Sequence, residues 1–133
     1  MSADSMTEFN ITPMGKPRMT RSDRWKQRPV VLRYWTFKDE CKAKGLMIPE
    51  SGSHLIFVLP MPKSWSKKKK LAMDGKPHQS KPDVDNITKA CLDAVYEDDS
   101  HIWDIRTSKI WGDIGKIIIS DESTVINTNY SDD

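Results

Sequence analysis

Cysteine is scarce in this chain: its 133 residues include two, Cys41 and Cys91, with no Cys-x-x-Cys pair and no histidine at zinc-ligand spacing. That scarcity argues against a disulfide framework and a structural zinc site, and it suits a reducing intracellular compartment. Long apolar runs are lacking too. The longest, His54 to Met61, is far too short to cross a bilayer. No basic-then-apolar leader opens the sequence, so neither a membrane protein nor a secreted one is expected. Internal repeats are absent, and low complexity is confined to the lysine run Lys67 to Lys70. A chain of this length buries roughly two thirds of its unfolded surface, which supplies one core and not two.

Net charge is also small, +2 from 21 Lys and Arg against 19 Asp and Glu, but the charges are sorted into blocks. Residues 14–46 hold ten Lys and Arg against three acids, and residues 61–81 hold seven Lys against one acid. Residues 83–104 reverse the sign, with Asp83, Asp85, Asp93, Glu97, Asp98, Asp99 and Asp104 facing the lone Lys89. Any single block reads as a solvated face. Two basic blocks around an acidic one are what a metal-dependent enzyme acting on nucleic acid requires, with polyanion binding beside a carboxylate cluster.

Glu8 to Thr12 alternates and reads as a short strand ended by Pro13. A cationic, turn-rich loop follows, and a helix begins at Pro29, where Val31, Tyr34, Trp35, Lys38 and Cys41 recur at helical spacing up to a cap at Gly45. His54 to Leu59 is expected to be a central strand. Ser66 caps a short helix over Lys67 to Met73. Asp85 or Asn86 caps a third helix whose apolar face is Ile87, Ala90, Cys91, Ala94 and Val95. Trp103 to Ser108 and Lys116 to Ser120, joined through Gly112 to Gly115, read as a hairpin. The expected fold class is α+β: a single small domain with a mixed sheet packed by helices. Residues 1–7 are expected to be disordered, 8–120 to form the domain, and 121–133 to be a flexible polar tail.

The chemistry concentrates in Lys81-Pro-Asp83-Val-Asp85-Asn86-Ile-Thr-Lys89 and, one helix later, Glu97-Asp98-Asp99-Ser100. Pro82 pushes the chain into extended form, so Asp83 and Asp85 are expected to project to one side as the helix starts. Lys89 lies one turn past Asp85, on the face that also carries Asp93. Oxygen ligands from carboxylates suit Mg²⁺ or Mn²⁺, and a lysine beside them can stabilise the added charge of a phosphoryl transition state. A calcium loop does not fit, because Ile87 stands where a third oxygen ligand is needed. The same residues also permit a plain reading, with Asp85 and Lys89 as an i, i+4 ion pair and Asp85 or Asn86 as a helix cap. Asp93 is expected to pair with Lys89.

Lys81 to Ala94 followed by Tyr96-Glu-Asp-Asp-Ser resembles the signature of the RusA family of Holliday junction resolvases, found in phages and prophages. The segments Pro13-Met-Gly-Lys-Pro-Arg-Met-Thr-Arg, Phe57-Val-Leu-Pro-Met-Pro-Lys-Ser-Trp-Ser-Lys-Lys-Lys and Gly75-Lys-Pro-His are similar to phage members as well, so the resemblance spans roughly residues 8–119. It implies a homodimeric, Mg²⁺-dependent endonuclease that cuts four-way DNA junctions by paired nicks, without a small-molecule cofactor, in the cytoplasm of a bacterial or phage-infected cell. Two other classes stay open, a nuclease for branched DNA in general and a catalytically silent DNA-binding module, the latter disfavoured because Asp83, Asp85, Lys89 and Asp99 are all present. By motif, the metal-binding aspartates fall on Asp83, Asp85 and Asp99, and the catalytic lysine on Lys89. The turn between Ala94 and the Asp98-Asp99 pair is shorter than in many relatives, which leaves open which of the two reaches the metal.

The basic blocks then acquire a task. Lys16, Arg18 and Arg21 on the first loop, Lys67, Lys68, Lys69 and Lys70 on the second, and Lys76 and Lys81 after it are expected to track the phosphate backbones of branched DNA. Trp65 is expected either to stack on an unpaired base or to pin its loop. His54, His78 and His101 carry no assigned role. The apolar residues Ile102, Trp103, Trp111 and Ile117 to Ile119 are expected to contribute to a dimer interface.

Overall fold

A computed structural model describes residues 6–21 and 28–121. In chain order the elements are β1 (Met6–Phe9), α1 (Pro29–Ala43), β2 (Ser53–Pro60), α2 (Lys67–Met73), α3 (Val84–Val95), β3 (Ile105–Gly112) and β4 (Lys116–Asp121). The expected disordered N-terminus and flexible tail fall mostly outside the described residues. Where they overlap, Met6 and Thr7 already pair with Ser120 and Ile119.

Local signals place most of these elements. Pro29 opens α1, and Gly45 at φ +70° closes it while the Leu46 N–H reaches the Cys41 carbonyl and the Gly45 N–H that of Lys42. The buried residues of α1 are Val31, Tyr34, Phe37 and Cys41. Trp35, expected in that stripe, is instead 41% exposed with the Lys38 ammonium 5.1 Å from its ring. At 100° per residue the stripe through Tyr34 and Cys41 passes over Phe37 and leaves Trp35 to one side. Ser66 caps α2, its Oγ accepting the Lys69 N–H at 3.1 Å.

The four strands form one mixed sheet in the order β1-β4-β2-β3. β2 is central, as its apolar sequence predicts, parallel to β3 and antiparallel to β4. Leu55, Phe57 and Leu59 face one side, with Ile117 and Ile119 beside Phe57 and Leu55, and this face packs against α1 and α3 in a single core. The opposite face carries Ile56, Ile110 and Ile118, each only partly buried.

The expected hairpin is not formed, because β2 lies between β3 and β4. A three-residue link looks like a hairpin in sequence. Four Cα steps nevertheless reach up to about 14 Å, more than the two strand spacings of about 10 Å that the chain has to cross. The crossing runs over the end of β2, where Pro60 has no N–H to offer. Gly112 makes the close approach possible, since a Cβ there would lie 2.3 Å from Val58 Cγ1.

Because β2 and β3 are parallel, the chain between them must return along the sheet. That crossover, residues 61–104, contains α2, α3 and both acidic motifs. α3 consequently runs antiparallel to β2 and β3, with its N-terminus toward the C-terminal ends of those strands. Among the described residues no helix is long and apolar enough to cross a membrane.

The register predicts a sharp contrast between neighbouring isoleucines. Ile117→Ala should cost about 2–5 kcal/mol of unfolding free energy, and Ile118→Ala on the opposite face about 1 kcal/mol or less. Denaturant unfolding of the two variants checks this, and equal losses would contradict the assigned faces.

Candidate nucleic-acid and metal site

The rotation of α3 about its axis is set by its apolar stripe. Ile87, Ala90, Cys91 and Ala94 are all buried, which turns Asp85 and Lys89 outward. Asp83 occupies the N-cap position with extended backbone, and its carbonyl accepts the N–H groups of Asn86 and Ile87. The cap was expected at Asp85 or Asn86; Asp85 instead lies inside the first turn. Extension therefore ends at Asp83, and the alternation expected to align Asp83 with Asp85 does not operate. What the two carboxylates share is one helix end.

Neither plain reading of these residues is realised. Asp83 makes no side-chain capping bond, and no ion pair joins Asp85 to Lys89. Among the described residues, the side chains of Asp83, Asp85, Lys89 and Asp99 have no hydrogen-bond or ion-pair partner. Asp85 still favours the helix through the dipole, an effect of about 0.3–1 kcal/mol that a neutral cap would equally supply.

Asp93 pairs with Lys16, not with Lys89. Lys16 Nζ lies 2.5 Å from Asp93 Oδ2, which also accepts the Tyr34 hydroxyl at 3.2 Å. Burial alone would raise the Asp93 carboxyl, but the Lys16 hydrogen bond and charge, with help from Tyr34 and Lys38, outweigh it and hold the group below its ordinary value. Tyr34 moves the other way, raised by burial and then by the Asp93 charge. The first basic loop is thereby docked on α3. The Lys16 N–H reaches the Asn86 carbonyl at 3.4 Å, and Gly15 sits so close that a Cβ would lie 2.5 Å from Asn86 Nδ2 and 3.1 Å from Pro82 Cβ. Lys16, Pro17, Arg18, Met19, Asn86 and Lys89 line an open groove of about 550 Å³.

The other candidate cations are arranged along two paths. Arg18 and Arg21 are exposed on the first loop, and the Arg28 guanidinium donates to the Arg18 carbonyl. Lys67, Lys68 and Lys69 are exposed on α2, and Lys70 partly so. α2 buries none of its own residues and is held through its flanks. Trp65 packs on Trp111 at 4.7 Å and carries the Lys69 ammonium 4.3 Å from its ring, so its ring is engaged as a pin. Trp111 also meets His78 at 4.0 Å. His78 is buried and its pKa is lowered, first by desolvation and then by the charge of Lys109. Lys76 and Lys81 have exposed side chains, and the Lys81–Pro82 peptide is cis.

The second acidic motif is elsewhere. α3 has 12 residues and is therefore about 18 Å long. Asp83 and Asp85 mark its N-terminal end, whereas Asp98 and Asp99 follow its C-terminal end. Among the described residues no three His, Cys, Asp or Glu side chains gather closely enough to hold a metal ion. The structure brings Asp83, Asp85, Lys89 and the first basic loop together and leaves Asp99 apart from them. Within the acidic turn, Asp98 Oδ1 accepts the Ser100 N–H at 3.0 Å, a bond that lowers its pKa, while the Asp99 carboxylate is unengaged. As for the metal, two unengaged carboxylates at one helix end suit the habit of Mg²⁺, which binds through one or two carboxylates and fills its remaining positions with water and phosphate.

Half of the six apolar residues expected at a dimer interface are used within the chain. Ile117 and Ile119 belong to the core, and Trp111 is covered by Trp65 and His78. Of that set, Trp103 is 74% exposed and Ile118 lies on the open sheet face.

Two structural roles are not visible in the sequence, the true partner of Asp93 and the clamp made by Lys109. Asp93 docks the first loop, and Lys109 of β3 donates to the carbonyls of Ser80 and Pro82 just ahead of Asp83. Both pairings join distant segments, and no periodicity points to either.

A family model described as Endodeoxyribonuclease RusA matches residues 9–120. No curated protein and no solved structure matches the chain.

The lowered Asp93 carboxyl carries a pH signature. Its contribution to stability is present above the unfolded carboxylate value of about 3.9 and is lost as pH falls through the lower folded value. Asp93→Asn should therefore shrink the acid-side loss of stability, leaving the share due to other carboxylates such as Asp98. Denaturant midpoints measured across that range decide it, and an unchanged acid limb would show that the Lys16 pair adds nothing.

Proposed function

The chain belongs to the RusA family of endodeoxyribonucleases, and from that membership and the geometry above we propose that it resolves four-way DNA junctions by paired, Mg²⁺-dependent hydrolysis of phosphodiester bonds. The observation that carries this reading is the group of unengaged charges at the start of α3. Asp83, Asp85 and Lys89 lie in the open, on a helix end flanked by the docked basic loop and by the chain leading from α2.

Phosphate binding falls to the cations. Arg18 and Arg21 on one path, and Lys67 to Lys70, Lys76 and Lys81 on the other, neutralise backbone charge and release counterions. Asp83 and Asp85 would hold Mg²⁺, or Mn²⁺ in its place, which when bound offsets charge on the scissile phosphate and lowers the pKa of a water. Lys89, one turn past Asp85 and without an ion partner, is placed to stabilise negative charge that grows on the phosphate oxygens in the transition state. Asp99 is the third ligand that the family signature implies. In this geometry it lies beyond the other end of α3, so the pair is assigned the metal without it.

Resolution needs two symmetric cuts, and one chain presents one such helix end. A two-fold dimer supplies both. Support for an interface comes from the open sheet face, where Ile56, Ile110 and Ile118 are only partly covered and Ile114 is exposed beside them. The role that follows is in DNA recombination and repair, in a bacterial or phage-infected cell.

Asp85→Asn should abolish Mg²⁺-dependent cleavage while leaving junction binding intact or tighter, because a negative charge near phosphate is removed. Wild-type cleavage in EDTA would contradict the reading.

Binding and chemistry should separate by residue. Replacing Lys67, Lys68, Lys69 and Lys70 together with Gln should weaken binding to every DNA shape, lowering the slope of log K against log salt by about 0.9 per lost phosphate contact. Lys89→Ala should slow cleavage at saturating enzyme with little change in affinity. Equal losses in rate and affinity would make Lys89 an ordinary phosphate contact.

A further inference from the structure

The segment from His78 to Pro82 leads straight into Asp83, and much of its anchorage comes from one residue of the edge strand. Lys109 Nζ donates to the Ser80 carbonyl at 2.6 Å and to the Pro82 carbonyl at 2.7 Å. The Lys109 carbonyl in turn accepts the His78 N–H at 3.0 Å. One residue thus holds positions 78, 80 and 82. The bridge between Pro77 and Ile110, the Trp111 N–H donated to the Lys76 carbonyl and the Gly75 N–H donated to the Trp111 carbonyl extend the same attachment along β3.

Chemistry explains why a lysine is needed there. Among the described residues no backbone N–H reaches the carbonyls of Ser80 and Pro82, and Pro82 has no N–H with which to extend a ladder. An ammonium on a flexible stem can serve two carbonyls that point the same way, using two of its three donors. Those two donors are then withheld from DNA, which sets Lys109 apart from the exposed lysines of α2.

We propose that Lys109 is a positioning residue for the carboxylate pair: it clamps the Ser80 and Pro82 carbonyls and so fixes where Asp83, and the first turn of α3 behind it, present their charges. The inference rests on the reading of Asp83 and Asp85 as the reactive end of the site. Asp83 has no side-chain bond of its own, so its carboxylate goes where its backbone is held. Two contacts set that backbone from outside, Lys109 on the carbonyls and Gly15 of the basic loop against Pro82. Lys109 touches neither phosphate nor metal in this scheme and acts only through the main chain.

The test compares the full-length wild type with Lys109→Met, which keeps bulk and loses both donors, Lys109→Gln, which retains a shorter donor, and Lys109→Arg, which restores two. Amide hydrogen exchange is read over residues 79–87, single-turnover cleavage of a synthetic four-way junction at saturating enzyme, and junction affinity in Ca²⁺. Lys109→Met should exchange faster in that segment by about tenfold or more while distant core amides stay protected. Its cleavage should fall by roughly 10- to 100-fold, as for a misplaced catalytic group, with affinity within about twofold of wild type. Lys109→Arg should recover most of both quantities, and Lys109→Gln should fall between. If Lys109→Met does not fold, the graded pair of Gln and Arg decides. Wild-type exchange and cleavage in the Met or Gln variant would overturn the proposal, as would a loss of affinity equal to the loss of rate, which would make Lys109 a DNA contact. If the wild type cuts no junction, the functional reading fails, and the exchange data alone still decide whether the clamp exists.

Discussion

Burial of one stripe of α3 is the constraint on which the site depends. Ile87, Ala90, Cys91 and Ala94 pack into the core with Tyr34, Phe37, Leu55, Phe57 and Ile117. A helix locked by four buried side chains has one rotational phase, and in that phase Asp85 and Lys89 must face outward. The parallel pairing of β2 with β3 then fixes the direction of α3. Its N-terminus lies toward the C-terminal ends of those strands, where Lys109 and the basic loop can reach it. Both cysteines sit in this interior as free thiols, and burial pushes Cys41 up to about 12, which keeps it protonated and inert.

Positive charge is used in two distinct ways. The lysines of α2 are solvated and available to a polyanion, whereas Lys16 and Lys109 are engaged in holding the chain. Lys16 offsets the partial burial of Asp93 and brings the first loop against Asn86 and Pro82. Lys109 approaches the same proline from the sheet side. Pro82 is thus held between two segments far apart in sequence, and Asp83 follows directly. With neither cation in place the carboxylates would remain on α3 but would have no fixed direction relative to the basic surface.

Much of this was legible in the sequence wherever local chemistry decides the outcome. The 3.6-residue period of α3, the Ser66 cap, the Gly45 stop and the apolar run of β2 each gave the right element. So did the RusA-like signature, whose family the match over residues 9–120 shows. Features set by distant contacts were not legible. The hairpin failed because a three-residue link does not reveal that a third strand will lie between its ends. Lys89, one helical turn away, is the partner that sequence proximity offers Asp93, whereas the partner in the structure, Lys16, arrives on a loop 77 positions earlier. Asp99 carries the family pattern in sequence, yet a 12-residue helix stands between it and Asp83. Trp35 and Phe37 are both apolar, and only the packing of α1 on α3 distinguishes the buried one.

The central claim is that this small domain selects branched DNA and hydrolyses it with a metal-dependent carboxylate site. Synthetic four-way, three-way and linear duplexes, each incubated with the protein in Mg²⁺ and in EDTA and resolved on a denaturing gel, test it most directly. Symmetric nicks in two strands of like polarity on the four-way junction alone, and only with Mg²⁺, are the result expected. Equal cutting of all three substrates, or cutting that persists in EDTA, would contradict it.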